Sequence, residues 1–238
     1  MPILGAIMLR VEGITAGYGP VTILRDLSFQ AEAGQVTCIM GRNGAGKSTL
    51  MRAIMGLVPV QSGQITLSGV PLHTLPAHKV PGQGVAYVPQ GRRLFGPLTV
   101  AENIEIGLLT RKKSLRTRDF VLDLFPRLRE RLDQMASTLS GGEQQMLAIA
   151  RALCLEPKVL LLDEPSEGLQ PSMIALIRET VLRLRETGLA TVLVEQRVDT
   201  VLRMADRVAF MAHGRVEQTA LREELVPDST LFQHYVGV

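Results

Sequence analysis

The segment Gly41-Arg42-Asn43-Gly44-Ala45-Gly46-Lys47-Ser48 constrains this chain more than any other. It satisfies the pattern G-x-x-x-x-G-K followed by Ser or Thr at every fixed position. It also lies between an apolar run, Val36–Met40, and a helical stretch, Lys47–Met55, that stops at Gly56. The glycines let successive backbone N–H groups converge on an anion, and the helix N-terminus adds its partial positive charge. Lys47 can reach outer phosphates, and the Ser48 hydroxyl suits Mg²⁺. A strand has to deliver the chain into such a loop and a helix has to carry it away, which predicts an α/β fold.

The remaining pattern agrees. Val36–Met40, Val159–Leu162 and Ala190–Val194 are short and solidly apolar, as strands covered on both faces should be. Leu9–Ile14, Gln64–Leu67, Val85–Val88 and Val208–Met211 read as further strands. A helix is predicted over Pro171–Thr187, with Pro in its first turn, Gly188 after its end and an apolar stripe from Met173 to Leu184. Strand–helix alternation implies a largely parallel sheet. From about Arg92 to Thr138 the pattern turns helical: Thr99 to Glu102 reads as a capping box opening a helix to about Leu109. The basic run Arg111–Arg118 then leads into a second helix ending near Phe125-Pro126. One domain over residues 8–238 carrying a helical insertion at 92–138 is expected.

Composition excludes several classes. With 238 residues, 46% apolar and 21% charged, the chain has the balance of a globular protein. Two distant cysteines, Cys38 and Cys154, make a disulfide framework or zinc cluster improbable and fit a reducing cytosol. No apolar run reaches the 18 or so residues that span a bilayer. Met1–Leu9 lacks the basic start of a signal peptide, and Met8 is a second candidate for the native start. The net charge of +3 is slight and aromatics are 4% without Trp, so no nucleic-acid partner is expected. The histidines at 73, 78, 213 and 234 match no metal spacing and read as surface residues.

A second acidic element should accompany the phosphate loop. Val159-Leu160-Leu161-Leu162-Asp163-Glu164 is an apolar strand ending in two carboxylates. Asp163 would bind Mg²⁺ directly or through water, while Glu164 would orient and deprotonate an attacking water. Neighbours on a strand point to opposite sides, so the two cannot do the same job unless the strand has ended. Leu139-Ser140-Gly141-Gly142-Glu143-Gln144-Gln145 is the discriminating segment. Ser140 to Glu143 forms a capping box for a helix to about Cys154. That box does not require Gly141 and Gly142, which weaken a first turn by roughly 0.5–1 kcal/mol each relative to Ala. Glycines and a serine at a helix start build an anion site. A chain with a complete phosphate loop does not need a second one for the same nucleotide, so the second site suggests a nucleotide bound between two subunits.

On these residues the chain resembles the ATP-binding cassette (ABC) ATPases, the nucleotide-hydrolysing subunits of transporters. The resemblance covers nearly the whole length and implies a P-loop NTPase core with a mostly parallel sheet, an N-terminal antiparallel β portion and a helical insertion. Leu139 to Glu143 matches the family signature, so Ser140, Gly141 and Gly142 would contact the γ-phosphate held by a partner's phosphate loop. ATP would otherwise bind Gly41 through Thr49. Tyr18, in Ala16-Gly17-Tyr18-Gly19, matches the aromatic residue that stacks on adenine. Gln90, in Val88-Pro89-Gln90-Gly91, matches the glutamine that joins core to insertion and senses Mg²⁺ and the attacking water.

Two departures stand out. Gln196, in Glu195-Gln196-Arg197, occupies the place of a histidine that usually contacts the γ-phosphate. It can donate a hydrogen bond but carries no proton as imidazolium would. Gln170 stands where an aspartate is common, which bears on coupling between subunits. Gln90–Phe95, Ser140–Arg151 and Leu193–Gln196 resemble the subfamily that energises uptake of branched-chain amino acids. Glu167–Ser172 resembles its relative that imports urea or short amides. The chain ends soon after a hairpin around His213-Gly214, without room for a regulatory domain. That compact form is similar to the shorter of the two ATPases in those importers, and the resemblance implies an ATPase peripheral to the cytoplasmic side of the cell membrane. Its partners would be permease subunits, a second ATPase and, indirectly, a periplasmic binding protein. A soluble cassette acting on DNA or ribosomes would need long coiled-coil insertions or a second cassette, and an exporter ATPase fits Gln90–Phe95 less well.

Overall fold

The computed structural model describes residues 5–111, 115–227 and 229–237. Part of Met1–Leu9 and the centre of the basic run, residues 112–114, lie outside the described residues.

Two sheets form the frame. In the first, β1 (Ile7–Tyr18) pairs antiparallel with β2 (Val21–Glu32) on one side and β4 (Val60–Leu67) on the other, and β4 pairs with β5 (Val70–Pro71). The second contains β3 (Val36–Met40), β6 (Val85–Val88), β7 (Val159–Asp163), β8 (Ala190–Val194), β9 (Arg207–Ala212) and β10 (Arg215–Leu221). Its order is β10-β9-β3-β8-β7-β6, parallel throughout except for the β9–β10 hairpin.

The second sheet divides two cores. Val36, Cys38 and Met40 of β3 pack on one side with Leu160 and Leu162 of β7. Ile39, Val159, Leu161, Val192 and Val194 face the antiparallel sheet on the other. Alternate residues thus enter different cores, which is why these strands read as unbroken apolar runs.

Helices α1 (Lys47–Ile54) and α2 (Val80–Gln83) precede β6. Between β6 and α6 (Gly141–Leu153) lie α3 (Val100–Thr110), α4 (Leu115–Leu124) and α5 (Pro126–Arg129). Both predicted capping boxes form. The Thr99 hydroxyl accepts the Glu102 N–H at 3.2 Å and the Ser140 hydroxyl accepts that of Glu143 at 3.4 Å. Helices α7 (Pro171–Glu186), α8 (Val198–Met204) and α9 (Thr230–Tyr235) complete the chain. Phe232 and Tyr235 of α9 meet Phe210 of β9, with ring centroids 5.8 and 5.2 Å away.

Several expectations need correction. β1 and β4 are longer than their apolar cores suggest, because sheet pairing carries the ladder into Ala16–Tyr18 and back to Val60. β2 was not foreseen: its buried residues Leu24, Leu27, Phe29 and Ala31 are spaced three, two and two apart. The left-handed Asp26 (φ 49°) interrupts the alternation. His73 is not a free surface residue, since its Nδ1 lies 3.2 Å from the Ile65 backbone N–H that it can accept.

Candidate active site

Four neighbouring strands deliver the candidate residues. In sheet order β3, β8, β7 and β6 run parallel, so their C-terminal ends open onto one edge. From those ends emerge the phosphate loop, Glu195–Arg197, Glu164–Leu169 and Gln90, in the crevice where open parallel sheets bind ligands. They line a cleft of about 860 Å³, together with Ile23 of β2.

The phosphate loop closes over the start of α1. Gly46, the residue before the helix, takes φ 104°, a conformation that excludes a β-carbon at low cost. Asn43, Gly44 and Gly46 through Thr49 line the cleft; Gly41, Arg42 and Ala45 shape the loop behind it. Lys47 is 5% exposed, and its ammonium donates to the Gly41 carbonyl at 2.7 Å and the Arg42 carbonyl at 3.1 Å. One of its three donors remains for the cleft. Burial pulls its pKa below the ordinary lysine value, against the attraction of Glu164 and Asp163.

The carboxylates Asp163 and Glu164 part because β7 has ended between them, not by strand alternation. The strand ends at Asp163, and Glu164 takes φ 49°. Asp163 is 3% exposed; it accepts the Ser48 hydroxyl at 3.2 Å and the Tyr87 hydroxyl at 3.1 Å. Burial raises its pKa above the usual carboxylate range, Glu164 adds to this, and both hydroxyls oppose it. Glu164 faces the cleft between two amides. Gln196 Nε2 donates to one of its oxygens at 2.5 Å and to Asn43 Oδ1 at 3.1 Å. Gln90 Nε2 donates to the other at 3.4 Å and to Glu167 at 2.8 Å. A carboxylate clamped between neutral amide donors on the rim of a phosphate-binding loop is suited to take a proton from water.

Ser48 and Asp163 bring a hydroxyl and a buried carboxylate together, the hard oxygen donors that Mg²⁺ prefers. A cation there would also offset the burial that disfavours the Asp163 charge. The residues fit such an ion.

Four candidates stand apart from this cleft. Ser140, Gly141 and Gly142 line another cavity, of about 620 Å³, with Arg127 and α7 residues. Ser140 donates to its own capping partner Glu143 at 2.7 Å. The glycine pair has local reasons as well. A β-carbon on Gly141 would come within 3.0 Å of the Arg92 guanidinium, and one on Gly142 within 2.5 Å of the Met173 side chain. Gly168 and Leu169 line both cavities. Tyr18 ends β1 outside the cleft lining, 44% exposed, its hydroxyl accepting from Arg52 of α1 at 3.1 Å.

Sequence reasoning missed Tyr87, Glu167, Ser166, Glu195 and Ile23. Tyr87 sits two residues before the conspicuous Pro89-Gln90, and Glu167 three residues after Glu164; neither position carries a local signal for its contacts.

Known proteins fall in line with this geometry. Residues 24–167 match the family model described as ABC transporter. The chain is 42% identical to the high-affinity branched-chain amino acid transport ATP-binding protein BraG of Pseudomonas aeruginosa, over 97% of this chain and all of that one. It is 41% identical to the probable branched-chain amino acid transport ATP-binding protein LivF of Archaeoglobus fulgidus, over 97% of this chain and 99% of that one. Among solved structures, an ATP-binding cassette of an ABC transporter in its ADP conformation superposes with a TM-score of 0.84. It is 26% identical, over 98% of this chain and 99% of that one.

Proposed function

The chain belongs to the ABC transporter family as one of its ATP-hydrolysing subunits, and from that premise we propose that it energises an importer of branched-chain amino acids. The near full-length identity to two proteins named for that transport supports the substrate class. The clamp on Glu164 is the observation that carries the catalytic reading.

ATP lies along the cleft with its phosphates on the amides of the phosphate loop and on Lys47. Tyr18, outside the cleft lining, takes the adenine that extends beyond it. Ser48, Asp163 and Gln90 would hold Mg²⁺, which would supply charge neutralisation at the phosphate oxygens. Glu164 takes the proton of the water that attacks the γ-phosphate. Gln90 and Gln196 keep its two oxygens in fixed directions, so the base is aimed before the water arrives. Ser140, Gly141 and Gly142 complete the site from a second ATPase subunit, because their own cavity contains no phosphate loop. No helix among the described residues is long and apolar enough to cross a membrane. The relatives named for amino acid transport support a subunit that works beneath permease subunits on the cytoplasmic side, with a periplasmic binding protein supplying the substrate from beyond them.

Glu164→Gln tests this reading. It keeps shape and hydrogen bonding and removes basicity, so ATP binding should persist while hydrolysis falls by about 10²–10⁴-fold, the usual worth of a general base. Gel filtration with ATP and Mg²⁺ should then show a dimer that ADP does not produce. Turnover near the wild-type rate would assign the water to another group.

A further inference from the structure

Glu195 is a carboxylate bordering the cleft at only 3% exposure, and the hydrolytic scheme gives it no task. Its backbone N–H donates to the Ile39 carbonyl at 3.3 Å, so it continues β8 beside the strand that feeds the phosphate loop. One carboxylate oxygen accepts the N–H groups of Gln196 at 2.8 Å and Arg197 at 3.1 Å. The other accepts the Ser166 hydroxyl at 2.5 Å, and Ser166 is itself 6% exposed. All three donors are neutral. A buried carboxylate held only by neutral donors is costly, and an apolar residue would pack there at less expense.

Its placement gives the reason. Glu195 joins the two loops that flank Glu164: its amide contacts set the turn from which Gln196 reaches Glu164, and its hydroxyl contact anchors the start of 166–169. Glu164 itself is pinned between them, its N–H donating to the Val194 carbonyl at 3.0 Å. Residues 168 and 169 at the far end of the anchored loop border the Ser140–Gly142 cavity. We infer that Glu195 is a positioning residue for hydrolysis, holding the Gln196 turn and the 166–169 loop in one register through Ser166. The inference rests on the assignment of Glu164 as the base. It places no part of Glu195 on nucleotide or water.

Two substitutions weaken the tie from opposite ends. Glu195→Gln keeps an acceptor for the two amides and replaces the charge-assisted bond to Ser166 by a weaker one between neutral groups; Ser166→Ala removes the hydroxyl and the bond with it. In the full chain, each should lower kcat by about 10- to 100-fold, the scale of an ångström-size misplacement. KM should stay within about twofold, and the double variant should be no slower than the slower single one. Amide hydrogen exchange supplies a readout independent of turnover. Glu195→Gln should speed exchange across 164–169, and Ser166→Ala should speed it at 195–197, each on the loop that carries no substitution. Unchanged kcat, additive losses, or loosening confined to the substituted loop would overturn the inference. A wild-type chain that hydrolyses no ATP would count against the catalytic assignment instead, and the cross-loop exchange would still decide the tie. Should Glu195→Gln fail to fold, Ser166→Ala carries both measurements alone.

Discussion

Asp163 and Glu164 are adjacent yet live in opposite surroundings, and the difference is measurable. Asp163 is enclosed, and its raised pKa means that folding at neutral pH proceeds against the cost of ionising it. The sign follows from linkage. A carboxyl whose folded pKa lies above its unfolded value stabilises the fold below the unfolded value, near 3.9, and loses that contribution as pH rises through the folded one. Asp163→Asn should therefore raise the melting temperature at pH 7, and the gain should shrink towards pH 4. A melting temperature that falls at pH 7 would show that the hydroxyl contacts outweigh burial. Gln196 has the opposite character, a neutral amide whose only relevant property is direction. Gln196→Ala should cost about 1–3 kcal/mol of transition-state stabilisation, the range for a polar contact removed from an enclosed site. Turnover should remain, because Glu164 stays; single-turnover hydrolysis at saturating ATP reads the loss. Full activity in that variant would leave Gln90 alone as the orienting amide.

The hairpin between β9 and β10 shows how one turn can serve a distant loop. The Gly214 N–H donates to the Ala45 carbonyl of the phosphate loop at 3.1 Å, and its carbonyl accepts the Arg25 N–H of β2 at 3.0 Å. At φ 79° it also stands where a β-carbon would fall 1.8 Å from the Ile23 carbonyl. Backbone is in the way, so no side-chain rotation relieves the clash. Gly214→Ala should destabilise the fold by at least about 1–3 kcal/mol in chemical denaturation. It should also weaken ATP binding, because Ile23 and Ala45 move together; a stable variant with native affinity would show that the turn is independent of the loop. Sequence patterns reveal such a hairpin but not its neighbours. The elements that were legible, β3, β6, β7, β8 and the two capped helices, all carry dense local signals: unbroken apolar runs, or Ser and Thr three residues before Glu. β2 was hidden because its bulge at Asp26 breaks the alternation on which a strand is recognised, and only pairing with β1 repairs it.

At the scale of the molecule, the phosphate loop, Asp163, Glu164, Gln90 and Gln196 could be named from sequence because each stands at a strand end or in a spaced motif. Ser166 and Glu195 could not. They are 29 positions apart and meet only because β7 and β8 are parallel neighbours with their ends level. Outside the cleft, Phe95 is 48% exposed beside Arg151, whose guanidinium lies 5.1 Å from its ring centroid. Together with Arg92 they border a groove of about 170 Å³ on the insertion side. We propose this surface, beside the helical insertion, as the permease contact. Phe95→Ala should leave the purified chain's ATP affinity unchanged and reduce leucine uptake in cells that depend on it; undiminished uptake would move the contact elsewhere. The stretch through Gly168 and Leu169 has one further consequence. It is a party wall, with the chain's own cleft on one side and the Ser140–Gly142 cavity on the other. When two copies face each other, neither tenant can renovate without the other noticing. A mixed pair with one Lys47→Ala copy should then hydrolyse well below half the wild-type rate, because the intact cleft shares its wall with an unfilled one.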